Sequence, residues 1–236
     1  MVDEDGYNRS AWALQSSIDS YCQTLGCSSI IKSSTADDND YTNAINNSMY
    51  CVISTHGNKS GIEWSMRNVY AGHVNCTTSC TTCFGVYDTT DLNALSSNYF
   101  QGTRCVVLMA CSTVAGGKGD TTNFANALHS KGVATVVGFQ EKIWTTYDAT
   151  TLQALTDRGT QKWATEFTKL LSEGKNVDDA AANAYTNTIT ANLAATGYTM
   201  EQLNSGDIPP DVLTKKIYCG LNSYCIIGDE DQVLKY

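Results

Sequence analysis

Three unbroken apolar runs, residues 49–54, 105–109 and 134–139, constrain what this chain can fold into more than any other feature of it. A strand with one wet face alternates apolar and polar residues, whereas a strand covered on both faces does not. None of the three runs alternates, so each is expected inside a sheet packed on both sides. Helix-period segments surround them. Leu14, Ile18, Tyr21, Cys22 and Leu25 recur at helical spacing, with Gly26 as the stop. Residues 40–46, 123–130, 161–173 and 177–193 show the same period, and Gly132 and Gly174 close the second and third of these. This alternation predicts an α/β fold with a mainly parallel sheet and helices on both faces. Short strands are expected at 29–32, 69–70 and 86–87. Segments 217–219 and 224–227 flank Gly220 to Ser223, which predicts a C-terminal hairpin.

The chain has 236 residues and only two prolines, adjacent at Pro209-Pro210, so no proline-rich linker divides it. A single domain over 1–236 is expected, with a cysteine-rich insertion at about 58–104. The net charge of −9 argues against nucleic acid as a partner, because phosphate binding needs clustered Lys and Arg. No apolar run approaches the roughly 20 residues that span a bilayer, so no membrane partner is expected. The acidic, polar start of the chain does not read as a signal peptide and leaves the compartment open. The ten cysteines are many for a cytosolic protein, which leans towards a secreted or surface location.

Two of the apolar runs end in reactive side chains among small residues. The first leads into His56-Gly57 and the second into Ala110-Cys111-Ser112. Ligands of open α/β sheets bind beyond the carboxyl ends of the strands. If the two strands are neighbours, an imidazole and a thiol face one crevice. A thiol attacks as its thiolate, and a nearby imidazole helps generate it. Gly57 lets a substrate backbone approach, and the N–H groups of Gly57 and Cys111 are candidate oxyanion donors. Taken singly, a cysteine after a strand is more often merely buried, and a His-Gly pair more often a turn. It is the shared strand-end placement that points to chemistry. A Cys-x5-Arg phosphatase loop is excluded because position 117 is Gly. Gly116 to Gly119 also lacks the spacing of a phosphate loop.

With these residues in place, the chain resembles the caspase-like (clan CD) cysteine peptidases. It is closest in motif style to CHAT and separase-type domains, with weaker similarity to gingipain and clostripain. The resemblance rests on the strand-His-Gly and strand-Ala-Cys order, with Cys111 following His56 by 55 residues. It continues through the glycine-rich turn and Gly132 to Phe139, and through Trp163 to Ala180. It implies a caspase-like three-layer sandwich and peptide-bond hydrolysis through an acyl-thioester, with Cys111 as nucleophile and His56 as proton shuttle. No cofactor is implied, and the partner is a protein or peptide substrate. Acidic residues near the dyad of relatives commonly select Arg or Lys. Glu141 and Asp148 are the best-placed candidates here, and Asp120 and Glu63 are weaker ones. The chain departs from clostripain, which carries an Asp where Met109 stands, and from the caspase Gln-Ala-Cys-x-Gly. Two other functions fit the same residues. One is a silent caspase-like module that binds a partner, and the other is a thiol hydrolase or acyltransferase acting on a non-peptide substrate.

His73, Cys76, Cys80 and Cys83 offer four zinc-type donors within one loop, at spacing unusual for a zinc site. A disulfide or unpaired thiols are the competing outcomes there. Cys51 and Cys105 lie inside apolar runs and read as small buried hydrophobes. Cys219 and Cys225 are placed to bridge the expected hairpin in an oxidising compartment.

Overall fold

A computed structural model of the protein describes residues 7–27, 38–66, 83–147 and 154–234. In chain order its elements are α1 (Tyr7–Thr24), α2 (Asp38–Asn46), β1 (Tyr50–Ser54), β2 (Gly61–Met66), β3 (Cys83–Asp88), α3 (Thr89–Ala94) and β4 (Cys105–Met109). They continue with α4 (Phe124–Ser130), β5 (Thr135–Phe139), α5 (Gly159–Ser172), α6 (Val177–Thr196), α7 (Met200–Ser205), α8 (Pro210–Val212) and β6 (Tyr224–Gly228). The main sheet has the order β1-β4-β5-β6, and β2 and β3 form a separate antiparallel pair. β1, β4 and β5 are parallel, while β6 runs antiparallel to β5.

The apolar runs of β4 and β5 are explained by two cores, one on each face of the sheet, whereas β1, expected inside the sheet, is its edge strand and is only partly buried. Cys105, Val107 and Met109 of β4 join Leu14 and Ile18 of α1, Trp163 and Phe167 of α5, and Ala180 and Ala184 of α6. Val106, Leu108 and Ala110 turn the other way, towards Ile45 of α2, Leu92 of α3, and Phe124 and Leu128 of α4. Every residue of β4 and β5 is therefore buried, which a strand with a wet face would not allow. The result is a three-layer α/β arrangement with a mainly parallel sheet.

The ends of α6 follow local rules. Asn176 caps its start by accepting from the Asp179 N–H at 2.8 Å, and Gly197 ends it in the left-handed region at φ 75°. Asn176→Ala is expected to lower stability by about 1 kcal/mol, measured by urea unfolding. An unchanged unfolding midpoint would count against this cap.

The structure corrects the C-terminal expectation. Residues 217–219 form no hairpin strand. Leu213–Tyr218 is a π-helical turn that runs into Cys219 at φ 51° and Gly220 at φ 76°. The reason is tertiary. The buried Asn192 amide of α6 donates to the Ile217 carbonyl at 2.7 Å, taking an acceptor that a hairpin ladder would need. Ile217 meanwhile packs with Ile189, Leu193 and Ile208. β6 pairs with β5 instead, and Cys219 and Cys225 are free thiols rather than a disulfide. The expected strand at 86–87 falls within β3, whereas those at 29–32 and 69–70 lie outside the described residues. Among the described residues, no helix is long and apolar enough to cross a membrane.

Candidate active site

β1 and β4 are parallel neighbours in register, with Ser54 opposite Met109. The pairing carries one residue further, where the Thr55 N–H donates to the Met109 carbonyl at 3.3 Å. His56 and Cys111 thus leave the sheet side by side, each two residues past the same rung, on strands about 4.8 Å apart. Gly57 brings the two turns into direct contact. A Cβ at that position would stand 2.8 Å from the Ala110 Cβ and 2.9 Å from the Cys111 carbonyl oxygen. No side chain other than hydrogen fits there without moving backbone.

The turn after Gly57 is tight. The Asn58 side-chain oxygen accepts from the N–H groups of Ser60 and Gly61 at 2.8 and 3.2 Å, and the Asn58 N–H donates to Gly61 O at 2.9 Å. Gly57 bridges to Ile62 in this turn. The bridge hydrogen bond lies one residue on, at Asn58, so the Gly57 N–H is not spent on it.

On the other side, Cys111 is half-buried, and its Sγ donates to the Ile143 carbonyl at 3.8 Å. Ser112 follows in the left-handed region at φ 57°, a conformation that costs a non-glycine residue roughly 1 kcal/mol or more. This sharp turn sends the chain across to the end of β5. There the N–H groups of Ser112 and Val114 donate to the carbonyls of Glu141 and Phe139, both at 3.0 Å. Residues 141–147 consequently run past the thiol. Glu141 is exposed one residue from it in this contact, while Asp148 lies outside the described residues. Met109, two residues before Cys111, is buried in the core that includes α1 and α5.

Asp120, a weaker specificity candidate, faces away from that role. Lys59 grips its carboxylate at 2.7 Å, and its other oxygen accepts from the hydroxyl and N–H of Thr122 at 2.6 and 3.0 Å. Lys59 first, and then Thr122, hold the carboxyl at about 2, below its ordinary 3.8. The contribution to stability is complete above the ordinary value and is lost as pH falls through about 2. Asp120→Asn is expected to flatten the stability profile between about pH 4 and 2, measured by thermal melts across that range. An unchanged slope would contradict it. Glu63 lies on β2.

The other thiols differ in setting. Burial raises those of Cys22 and Cys51 to about 12 and that of Cys219 to about 11. It also raises those of Cys27, Cys105 and Cys225. These groups stay protonated at neutral pH and serve as packing. Of the four zinc-type donors, His73, Cys76 and Cys80 lie outside the described residues, and Cys83 opens β3. Among the described residues, no three His, Cys, Asp or Glu cluster as a metal site would require.

One cavity had no sequence signal. A cleft of about 610 Å³ is lined by Trp144, Tyr147, Arg158, Tyr198, Lys215 and Lys216, among others. Its first wall residue follows Ile143 directly, so it opens along the same loop that passes the thiol. The lining comes from separate stretches of chain and forms no motif. Neither a protein-family model nor a curated protein matches this chain.

Proposed function

We propose that the protein is a caspase-like cysteine endopeptidase with a His56–Cys111 dyad. The observation that supports this most is the contact between the two strand-end turns. Registered neighbouring strands carry His56 and Cys111, and Gly57 lets the backbones of the two turns approach closely.

The chemistry follows from that placement. His56 removes the Sγ proton, and the thiolate attacks the scissile carbonyl carbon. The N–H groups of Gly57 and Cys111 receive the oxyanion. Collapse expels the amine, which takes the proton from His56, and leaves an acyl-thioester on Cys111. Water then attacks with His56 as base, and the acid and the free thiol are released. The bond from Sγ to Ile143 O is long and sulfur is a weak donor, so turning the thiol towards His56 costs little. Glu141, exposed and joined through its backbone carbonyl to Ser112 next to the thiol, supports cleavage after Arg or Lys, with Asp148 as its expected companion. A peptide-library profile dominated by acidic or apolar residues would overturn that preference.

The decisive test is labelling with a thiol-reactive peptide probe. Wild type is expected to label at Cys111, and Cys111→Ala is expected not to label. Failure of the wild type to label would favour a silent binding module. Labelling without cleavage of any peptide in the library would favour a non-peptide thiol hydrolase or acyltransferase.

A further inference from the structure

We infer that Lys59 and Asp120 form a latch that holds the His56 turn against the Cys111 loop and so sets the alignment of the dyad. The inference rests on the reading of His56 and Cys111 as a working pair. Lys59 stands three residues after His56 in the turn tied by the Asn58 side chain, so moving one moves the other. Asp120 lies later in the same loop between β4 and α4 that carries Cys111. The ion pair between them, at 2.7 Å, joins the two turns in addition to the Gly57 contact. A second tie runs beside it, from the Phe124 N–H at the start of α4 to the Lys59 carbonyl at 2.9 Å.

The Asp120 end is built to receive a cation. Two donors from Thr122 fix one carboxylate oxygen, and the Asn126 amide holds the Asp120 carbonyl at 3.0 Å. Gly116, at φ 85°, passes so close to the Asp120 carboxyl group that any Cβ there would collide with it. Thr122 thus fixes the carboxylate, Asn126 fixes the backbone that carries it, and Gly116 leaves it room where Lys59 reaches it.

The magnitude separates positioning from stability. The side chains are 49% and 23% exposed, and such pairs contribute about 0–1 kcal/mol to folding. Misplacing a reacting group by about 1 Å, by contrast, can cost about 100-fold in rate. Loss of the latch is thus expected to damage the dyad while leaving the fold intact. Lys59 and Asp120 are positioning residues that touch neither substrate nor reacting atoms.

The test compares wild type, Lys59→Met, Lys59→Arg, Asp120→Asn and His56→Ala. It measures melting temperature, kcat and KM on a cleaved peptide, and the rate at which iodoacetamide alkylates Cys111. Lys59→Met and Asp120→Asn are expected to lower kcat about fivefold with KM within about twofold, and to slow alkylation about fivefold, the most that a pair of this strength can shift the aligned population. Melting temperature should shift by no more than a few degrees. Lys59→Arg, which keeps the charge, should restore kcat and alkylation to within about twofold of wild type. If His56→Ala slows alkylation and Lys59→Met does not, the latch is refuted while the dyad stands. If His56→Ala alkylates as fast as wild type, the dyad itself is refuted and the latch with it. A change in KM alone would overturn the latch too, because it would make Lys59 a substrate contact.

Discussion

Cys111→Ala is expected to lower peptide hydrolysis by more than about 1,000-fold, below detection in an ordinary fluorogenic assay. In the proposed mechanism the whole reaction passes through a covalent bond to Sγ, and the buried thiols among the described residues are not placed to replace it. Cys105 is buried within β4, on the opposite side of the sheet plane from Ala110, and Cys219 sits under α6. His56→Ala should cost about 100- to 10,000-fold, the usual range for a positioned general base. A double variant should be little worse than Cys111→Ala alone, because the two groups act as one unit. Residual hydrolysis near the wild-type rate in Cys111→Ala would remove the proposed mechanism at its root. Circular dichroism of each variant should match wild type, since the half-buried thiol contributes little packing.

Gly57→Ala is expected to be nearly as damaging, by a different route. The added methyl meets the Ala110 Cβ at 2.8 Å and the Cys111 carbonyl at 2.9 Å, with the Thr113 methyl at 3.1 Å behind them. Two of these belong to backbone or to a Cβ fixed to it, so no rotamer change relieves them. The turns must separate, which should lower stability by about 1–3 kcal/mol and kcat/KM by about 100-fold. Urea unfolding and steady-state kinetics on one preparation would measure both. Ala110→Gly in the same chain should recover part of the stability but not the activity, because the Cys111 carbonyl stays in the way. Wild-type kinetics in Gly57→Ala would show that the two turns do not need their present spacing.

What was legible in the sequence was what depends on local period and on runs. Residues 105–109 and 134–139 declared a doubly covered sheet because no wet face interrupts them. The strand-end positions of His56 and Cys111 were legible for the same reason. The capping box at Asp88 and Asp91 was also open to reading and marks the start of α3, which was missed. The features that escaped depend on distant chain. Residues 217–219 carry a good strand pattern, yet Asn192 from α6 claims their carbonyl and the π-helical turn wins. The Lys59–Asp120 pair and the cleft beyond Ile143 join segments with no sequence relation, so neither charge pattern nor spacing could announce them.

The position of β6 bears on when, during synthesis, the site can exist at all. Ser223, at the entry to β6, receives the Gln140 N–H on its carbonyl at 2.9 Å and the Glu141 N–H on its hydroxyl at 3.3 Å. The loop that flanks the thiol is therefore braced by residues made long after it. At about 5–20 residues per second, a ribosome takes about 6–23 s to go from Cys111 to β6. Once β5 is made, and until β6 pairs with it, β5 has an open edge and the loop beside Cys111 lacks this brace. A nascent chain therefore carries His56 and Cys111 well before it carries the residue that braces the loop beside them.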